Sequence, residues 1–447
     1  MNARELARGV LGKVETQGAW ATPALGAALA KTREIDPRDR RLAAELVYGV
    51  LRHQSRLDRA LAAYADLRKT PRPIVIALRV AAYQLLVLDR IPAHAAVDDA
   101  VEAAKKISPK LGGFANAVLR RLAAAGEPPI PAGDRKVRLE IAHSMPRWIV
   151  DEVARALGPA ADRELDDAIA ALSGTDKAPS LWLRANLRRT RRDALASAIA
   201  PLVDREPQAS DAVPTALDAT GLADPESAAP LVDGLASVQD VAAQLVAYLC
   251  DPKPGMRILD ACAGHGGKAT HLAELADDRA SIDAADSHAD KLARLGASAK
   301  RLGLTSIRTI PTDAEKAGSA LAAQYDLVLL DAPCTGLGVI RRHPEAKWRL
   351  RPTDPAGAAV HQRALLDACA ARVAPGGALV YGVCSFTLVE GPAQIDDFLA
   401  RHPDFTLAPP PAHDQLIWPA DDRGRIHAWP HRLGGDAFFA ARLVRAP

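Results

Sequence analysis

Two cysteines stand at the ends of apolar runs, where a folded chain presents side chains rather than burying them. Asp331-Ala332-Pro333-Cys334-Thr335-Gly336 follows the apolar stretch YDLVLL, and Cys384 closes a second stretch in Tyr381-Gly382-Val383-Cys384-Ser385. A thiolate is a strong nucleophile that can also leave again, which suits covalent catalysis. If the two runs are neighbouring strands, thiols 50 positions apart in sequence face one pocket, with Asp331 beside them. The plainer reading, that cysteines are small buried hydrophobes, fits Cys250 and Cys369 on helical stretches better than it fits this pair. Five cysteines, without paired CxxC spacing, read as reduced thiols and give no metal-ligand set.

A second cluster precedes these cysteines. The strand-like MRILD runs into Ala261-Cys262-Ala263-Gly264-His265-Gly266-Gly267-Lys268, a glycine-rich turn entering a helix. Glycines let backbone amides approach a nucleotide-like ligand and permit the tight turn. Such a turn alone suits a dinucleotide, a methyl donor or mere close packing. Asp286 ends the next strand, 18 positions beyond Lys268, where an acidic side chain can accept hydrogen bonds from ribose hydroxyls. Asp313 follows the third strand and is placed to meet an adenine amino group. Each also suits a strand-end cap; with the glycine turn, the nucleoside-site reading is favoured.

The elements that must position these residues alternate. From about residue 236, MRILDA, ASIDAAD, SIRTIP, YDLVLLDAP and GALVYGVCS are separated by helix-like HLAELA, KLARLGASAKRLGL, AEKAGSALAAQ and HQRALLDACAARVA, with FFAARLVR as a later strand. That rhythm predicts a doubly wound α/β domain whose ligands lie beyond the carboxyl ends of its strands. Residues 3 to 125 instead show apolar positions at three- and four-residue spacing, an all-helical domain. The proline-rich 126–131 is a natural linker. The expected division is 1–130 helical, 131–235 a small α/β connecting unit with LWLRANL as a strand, and 236–447 the α/β domain.

Charge is uneven: residues 1–150 hold 25 Lys+Arg against 15 Asp+Glu, the rest 32 against 39. A basic arm on an acidic remainder suggests a polyanion partner, with randomly distributed solvated charge as the alternative. The N-terminus has no signal-peptide core, and the most apolar stretch, 74–88, is broken by Arg79. A cytoplasmic protein without membrane contact is expected.

Taken in order, DACAGHGGKATHL, LLDAPCTGLGVIRRHPEAKW, YGVCSFTLVEG and SVQDVAAQLV make the chain resemble the Sun/Fmu (RsmB-type) 16S ribosomal RNA cytosine-5 methyltransferase family. DRRLAAELVYGVLRHQSRLD and GGFANAVLRRLA resemble the NusB fold, so the likeness covers nearly the whole chain. The resemblance implies an all-α NusB-like domain, a connecting unit and a Rossmann-like methyltransferase domain, and a monomer is expected. It implies S-adenosylmethionine as methyl donor, held by Cys262, Ala263, Gly264, His265, Gly266, Gly267, Lys268, Asp286, Asp313 and Asp331, and no metal. It implies Cys384 as nucleophile on carbon 6 of a cytosine, Asp331 as its hydrogen-bonding partner on the ring, and Cys334 in release of the product. Arg341, Arg342 and His343, just after the Pro-Cys motif, are placed to meet RNA, a solvated charge cluster being the alternative. Ribosomal 16S RNA is the favoured substrate; transfer RNA, another ribosomal position, or a noncatalytic RNA-binding protein are the competing readings. Two positions depart from the family pattern: Gly264-His265 where Ala-Pro is usual, and Glu390-Gly391 where Glu-Asn is common.

Overall fold

A computed structural model describes every residue except Met1, Arg33, Glu34 and Lys177. The chain packs as two compact units, Met1–Ala178 with Ile340–Leu350, and Pro179–Val339 with Arg351–Pro447. Relative to the three-part division expected above, the helices Arg135–Ala142, Arg147–Leu157 and Ala161–Ser173 pack with the first unit, and the connecting strands with the second.

The first unit is helical throughout its regular structure. Leu6, Val10, Leu11, Leu46, Val50, Leu57 and Leu119 recur at helical spacing and share one apolar core. Caps set the helix starts: Asn2 accepts from the Glu5 amide at 2.8 Å, and Asp36 from Arg38 at 2.7 Å with Pro37 in the first turn. Helix Pro109–Ala125 stops at Gly126, whose φ of +69° suits a residue without a Cβ. Arg79, which interrupts the most apolar stretch, is buried and paired to Asp58 and Glu15, each at 2.6 Å. Segment Ile340–Leu350 belongs to this core by contact: Trp348 Nε1 donates to the Leu51 carbonyl at 2.7 Å, Lys347 Nζ to that of Arg52 at 2.8 Å, and Glu345 accepts from the Ala21 amide at 2.8 Å.

The second unit holds two sheets. Strands β1 (Trp182–Ala185), β2 (Gln208–Ala209), β3 (Ala216–Asp218) and β4 (Ala236–Val238) form a small antiparallel sheet in the order β2-β3-β1-β4. The larger sheet contains β5 (Arg257–Asp260), β6 (Ser281–Asp286), β7 (Ile307–Pro311), β8 (Tyr325–Asp331), β9 (Val373–Val383), β10 (Phe405–Ala408), β11 (Ile426–Ala428) and β12 (Phe438–Arg445). Its order is β10-β12-β9-β8-β5-β6-β7, with β11 on β12. Strands β5 to β9 are parallel, and β12 enters antiparallel between β9 and β10. Strand order reverses at β5, which pairs with both β6 and β8, so the crevice for a ligand opens beyond the carboxyl ends of these strands.

One expected helix is absent: AEKAGSALAAQ between β7 and β8 forms only the short 3-10 turn Gly318–Ala320. Gly318 at φ +48° leaves the right-handed helical region and interrupts the run, while Ala314, Ala317 and Leu321 still pack into the sheet's core. Among the described residues, no helix is long and apolar enough to cross a membrane.

Candidate active site

The carboxyl ends of β5, β6, β8 and β9 converge on a cavity of about 380 Å³. Asp286 and Asp313 line it, with Cys262, Gly264, Ala314 and Leu365; Asp331, Cys334 and Cys384 close its other side. Each strand ends where its polar residue is wanted, because parallel register aligns them. Asp331 stands opposite Gly382, two positions before Cys384. The expected adjacency of the two cysteine strands is therefore observed, and the sulfurs lie 3.3 Å apart.

The thiols are not equivalent. Cys384 follows the end of β9, and its carbonyl accepts from the Gly338 amide at 3.0 Å. Gly338 is required there, since a Cβ would fall 1.9 Å from the Ala437 carbonyl oxygen. The hydrogen bond to Cys384, together with burial, pushes the Cys334 thiol well above its ordinary pKa. The Cys334 thiol is thereby held in its protonated form. Lys268 donates to Asp331 at 2.5 Å and stands 5.1 Å from the Phe438 ring. Burial alone would lower the Lys268 ammonium, but Asp331, with Cys384 and Asp260, outweighs it and holds the pKa above its usual value.

The glycine-rich turn divides between lining and support. Cys262 and Gly264 face the cavity, whereas Ala263, His265, Gly266, Gly267 and Lys268 do not line it. His265 is exposed and Ala263 buried. Gly266 caps helix Gly267–Leu275 at φ +83°, where a Cβ would lie 2.2 Å from Leu295. Asp286 accepts from the Gly264 amide at 3.0 Å and the His288 amide at 2.8 Å, fixing the turn against β6 while an ionised carboxylate retains lone pairs for a ligand. Asp313 accepts from the Glu315 amide at 3.0 Å. Burial pushes the Cys262 thiol upward, so it contributes a neutral, apolar wall.

Arg341, Arg342 and His343 lie in the segment packed with the helical unit. Arg341 is buried, Arg342 half-buried, and His343 meets Trp20 edge-on at 6.4 Å between ring centroids. Sequence reasoning passed over three groups. Asp260 is 1% exposed, and neither carboxylate oxygen has a side-chain hydrogen-bond partner among the described residues; burial, then Asp331, pushes its pKa up to about 7, against Lys268 and the Cys262 amide. Glu390 is fully buried and accepts from both cysteine loops. Gln362 bridges the Pro333 carbonyl at 3.0 Å and Glu390 at 3.2 Å. The acidic residue ending β5 and the Glu after the second cysteine were visible signals; Gln362, on a helix face, left none.

A doubly wound sheet, a nucleoside-sized cavity at its switch point and acidic residues on successive strand ends define a Rossmann-like methyltransferase domain. Residues 247–444 match the family model described as 16S rRNA methyltransferase RsmB/F, and residues 1–124 match the NusB family. The chain is 34% identical over 457 residues to a probable ribosomal RNA small subunit methyltransferase B of Synechocystis sp., covering 100% of both. It is likewise 34% identical to the protein of that description from Bacillus subtilis, over 99% of this chain and 98% of the other. Among solved structures it resembles the crystal structure of PH0851, with a TM-score of 0.81, 27% identity and 99% coverage of each chain. The chain belongs to the RsmB/F family of 16S rRNA methyltransferases, with a NusB domain at its N-terminus.

Proposed function

We propose that this protein transfers a methyl group from S-adenosylmethionine to carbon 5 of a cytosine in 16S ribosomal RNA, through a covalent adduct between Cys384 and carbon 6. The observation that carries the reading is the thiol pair, 3.3 Å apart beside a cavity lined by Asp286, Asp313 and Asp331. The RNA class rests on relatives described as small-subunit rRNA methyltransferases and on the basic first 150 residues, 25 Lys+Arg against 15 Asp+Glu.

The cavity suits a nucleoside. Leu365 and Ala314 offer apolar contact to a base, Asp313 an acceptor for an exocyclic amine, and Asp286 an acceptor for ribose hydroxyls. When bound, the donor supplies an electrophilic methyl on a sulfonium.

Carbon 5 of cytosine is a poor nucleophile until a group adds at carbon 6. The Cys384 thiolate forms that carbon–sulfur bond, and electron density moves into the ring. Asp331, its carboxylate fixed by Lys268, accepts from the exocyclic amine and from N3 when that nitrogen carries a proton in the adduct. Carbon 5 then takes the methyl. Release requires loss of the proton on carbon 5 and cleavage of the carbon–sulfur bond. Cys334, held beside Cys384, assists that release, directly or through a water. The target base leaves its stack to enter, which favours a loop or otherwise accessible RNA site. Of the trio after the Pro-Cys motif, Arg341 is buried, and Arg342 and His343, both half-buried, are proposed to meet the RNA.

The test is mass spectrometry of nucleosides from 16S rRNA incubated with the purified protein and labelled donor. The label should appear in 5-methylcytidine. Label in another nucleoside would overturn the reading.

A further inference from the structure

Glu390 lies outside the donor cavity and has no role in the steps above, yet it is fully buried and reaches both cysteine loops. The residue after Cys334 and the residue after Cys384 share one of its oxygens: Thr335 Oγ1 and Ser385 Oγ each donate to Oε2 at 2.6 Å. Thr387 Oγ1 adds a third bond there at 2.9 Å. The other oxygen accepts from the Thr335 amide at 2.8 Å and from Gln362 at 3.2 Å. Five donors thus converge on one buried carboxylate, and hydrogen bonds to an ionised acceptor are the strong ones.

The two loops differ in what else holds them. Cys384 directly follows a long strand whose ladder continues to Val383 opposite Phe439. Cys334 sits three residues beyond β8, in a loop without strand pairing. Its backbone is tied by Ala332 to the Gly382 carbonyl at 2.8 Å and by Gln362 to the Pro333 carbonyl, and on its far side by Thr335 to Glu390. Removing the last tie frees the loop at the residue adjoining the thiol.

We infer that Glu390 is a positioning residue that sets the spacing of Cys334 from Cys384 and thereby the rate of product release. The inference rests on the mechanism proposed above and adds to it the group that keeps the second thiol in reach. Cys384 retains its own scaffold, so loosening this tie slows release more than attack. A misplacement near 1 Å at a reacting group can lower a rate on the order of 10²-fold.

Two readouts test it. The first is independent of methyl transfer: diamide oxidises the two thiols to a disulfide, its azo group taking up the two hydrogens, and the Cys334–Cys384 peptide is followed by mass spectrometry. The second is the fraction of RNA held as denaturant-stable adduct during turnover. Glu390→Asp keeps the charge but is one methylene too short to serve both loops; it should slow disulfide formation and turnover by about 10- to 100-fold, with adduct accumulating. Thr335→Val removes one hydroxyl from the Cys334 loop alone and should give the same pattern with a smaller change of a few-fold. Glu390→Gln keeps the length, and the surrounding hydroxyls can rotate to accept from its amide, so it should recover most of both rates. Unchanged affinity for S-adenosylhomocysteine shows that each variant is folded. The inference is overturned if Glu390→Asp and Thr335→Val oxidise at the wild-type rate, or if they oxidise slowly while release is unaffected. Failure of the cytosine reading would appear elsewhere, as absence of 5-methylcytidine with the wild-type enzyme, and would leave the oxidation contrast standing.

Discussion

The helical unit and the carboxyl edge of the large sheet put their buried polar groups to different uses. In the helical core the packed residues are aliphatic, with Tyr83, and the buried Arg79 is matched by Asp58 and Glu15 at 2.6 Å. At the sheet edge, Asp260 is buried without a side-chain partner among the described residues, Lys268 and Asp331 form a half-buried pair, and Glu390 gathers five donors. Unmatched polar burial is costly to a fold. At Asp260 that cost falls beside the cavity, where a perturbed titratable group marks a functional site. The contrast predicts that substitutions at the edge cost activity, and substitutions in the helical core cost stability.

The largest effect should come from Cys384→Ser, which removes the nucleophile while nearly keeping its volume. Turnover should fall on the order of 10⁴-fold or more, with the melting temperature within a few degrees of wild type. A comparable loss of stability would break the contrast. Next is Leu46→Ala in the helical core, where a fully buried leucine leaves a cavity. Its unit should lose about 2–5 kcal/mol in denaturant unfolding, while affinity for S-adenosylhomocysteine is unchanged. A matching loss of donor affinity would count against separate roles for the two regions.

Asp286→Ala should weaken donor binding by about tenfold or more, since a charged acceptor is lost, as read by titration calorimetry. Unchanged affinity in the folded variant would remove Asp286 from the donor site. The last effect concerns Asp260, whose carboxyl is pushed from an ordinary 3.8 up to about 7 by burial and by Asp331. Because its folded pKa is the higher one, this group favours folding when protonated in both states. Its contribution is lost as pH rises from about 4 through about 7, where the unfolded chain releases the proton first. Asp260→Asn cannot titrate, so its stability should fall less than wild type across that window. Parallel curves for the two proteins would contradict the shift.

How much of this was legible in sequence follows from how local each feature is. The strands of the parallel sheet, the glycine turn and both cysteines are written in contiguous motifs, and parallel register then brings Asp331 and Cys384 together. Glu390 was visible only as a residue beside a departure from the family pattern. Its partners Thr335 and Gln362 come from 55 and 28 positions away, and no periodicity records such a convergence. The 340–350 segment reads as a continuation of the Pro-Cys motif, yet Lys347, Trp348 and Arg349 bond to carbonyls of the helical unit. That destination is a long-range choice. The same contacts make deletion of residues 1–125 a poor probe of RNA binding, because it strips the seat of this segment. Antiparallel entry of β12 was likewise beyond reach: an apolar run states that a strand exists, and its direction depends on the loop that leads to it.

The central claim is the division of labour between two identical side chains, and trapping tests it most directly. RNA substrate and S-adenosylmethionine incubated with Cys334→Ala should yield a protein–RNA complex that survives denaturing electrophoresis, because Cys384 still adds to carbon 6 and release fails. Cys384→Ala and the double variant should yield neither complex nor 5-methylcytidine. Accumulation of the complex by Cys384→Ala, with none from Cys334→Ala, would contradict the account and exchange the roles of the two cysteines.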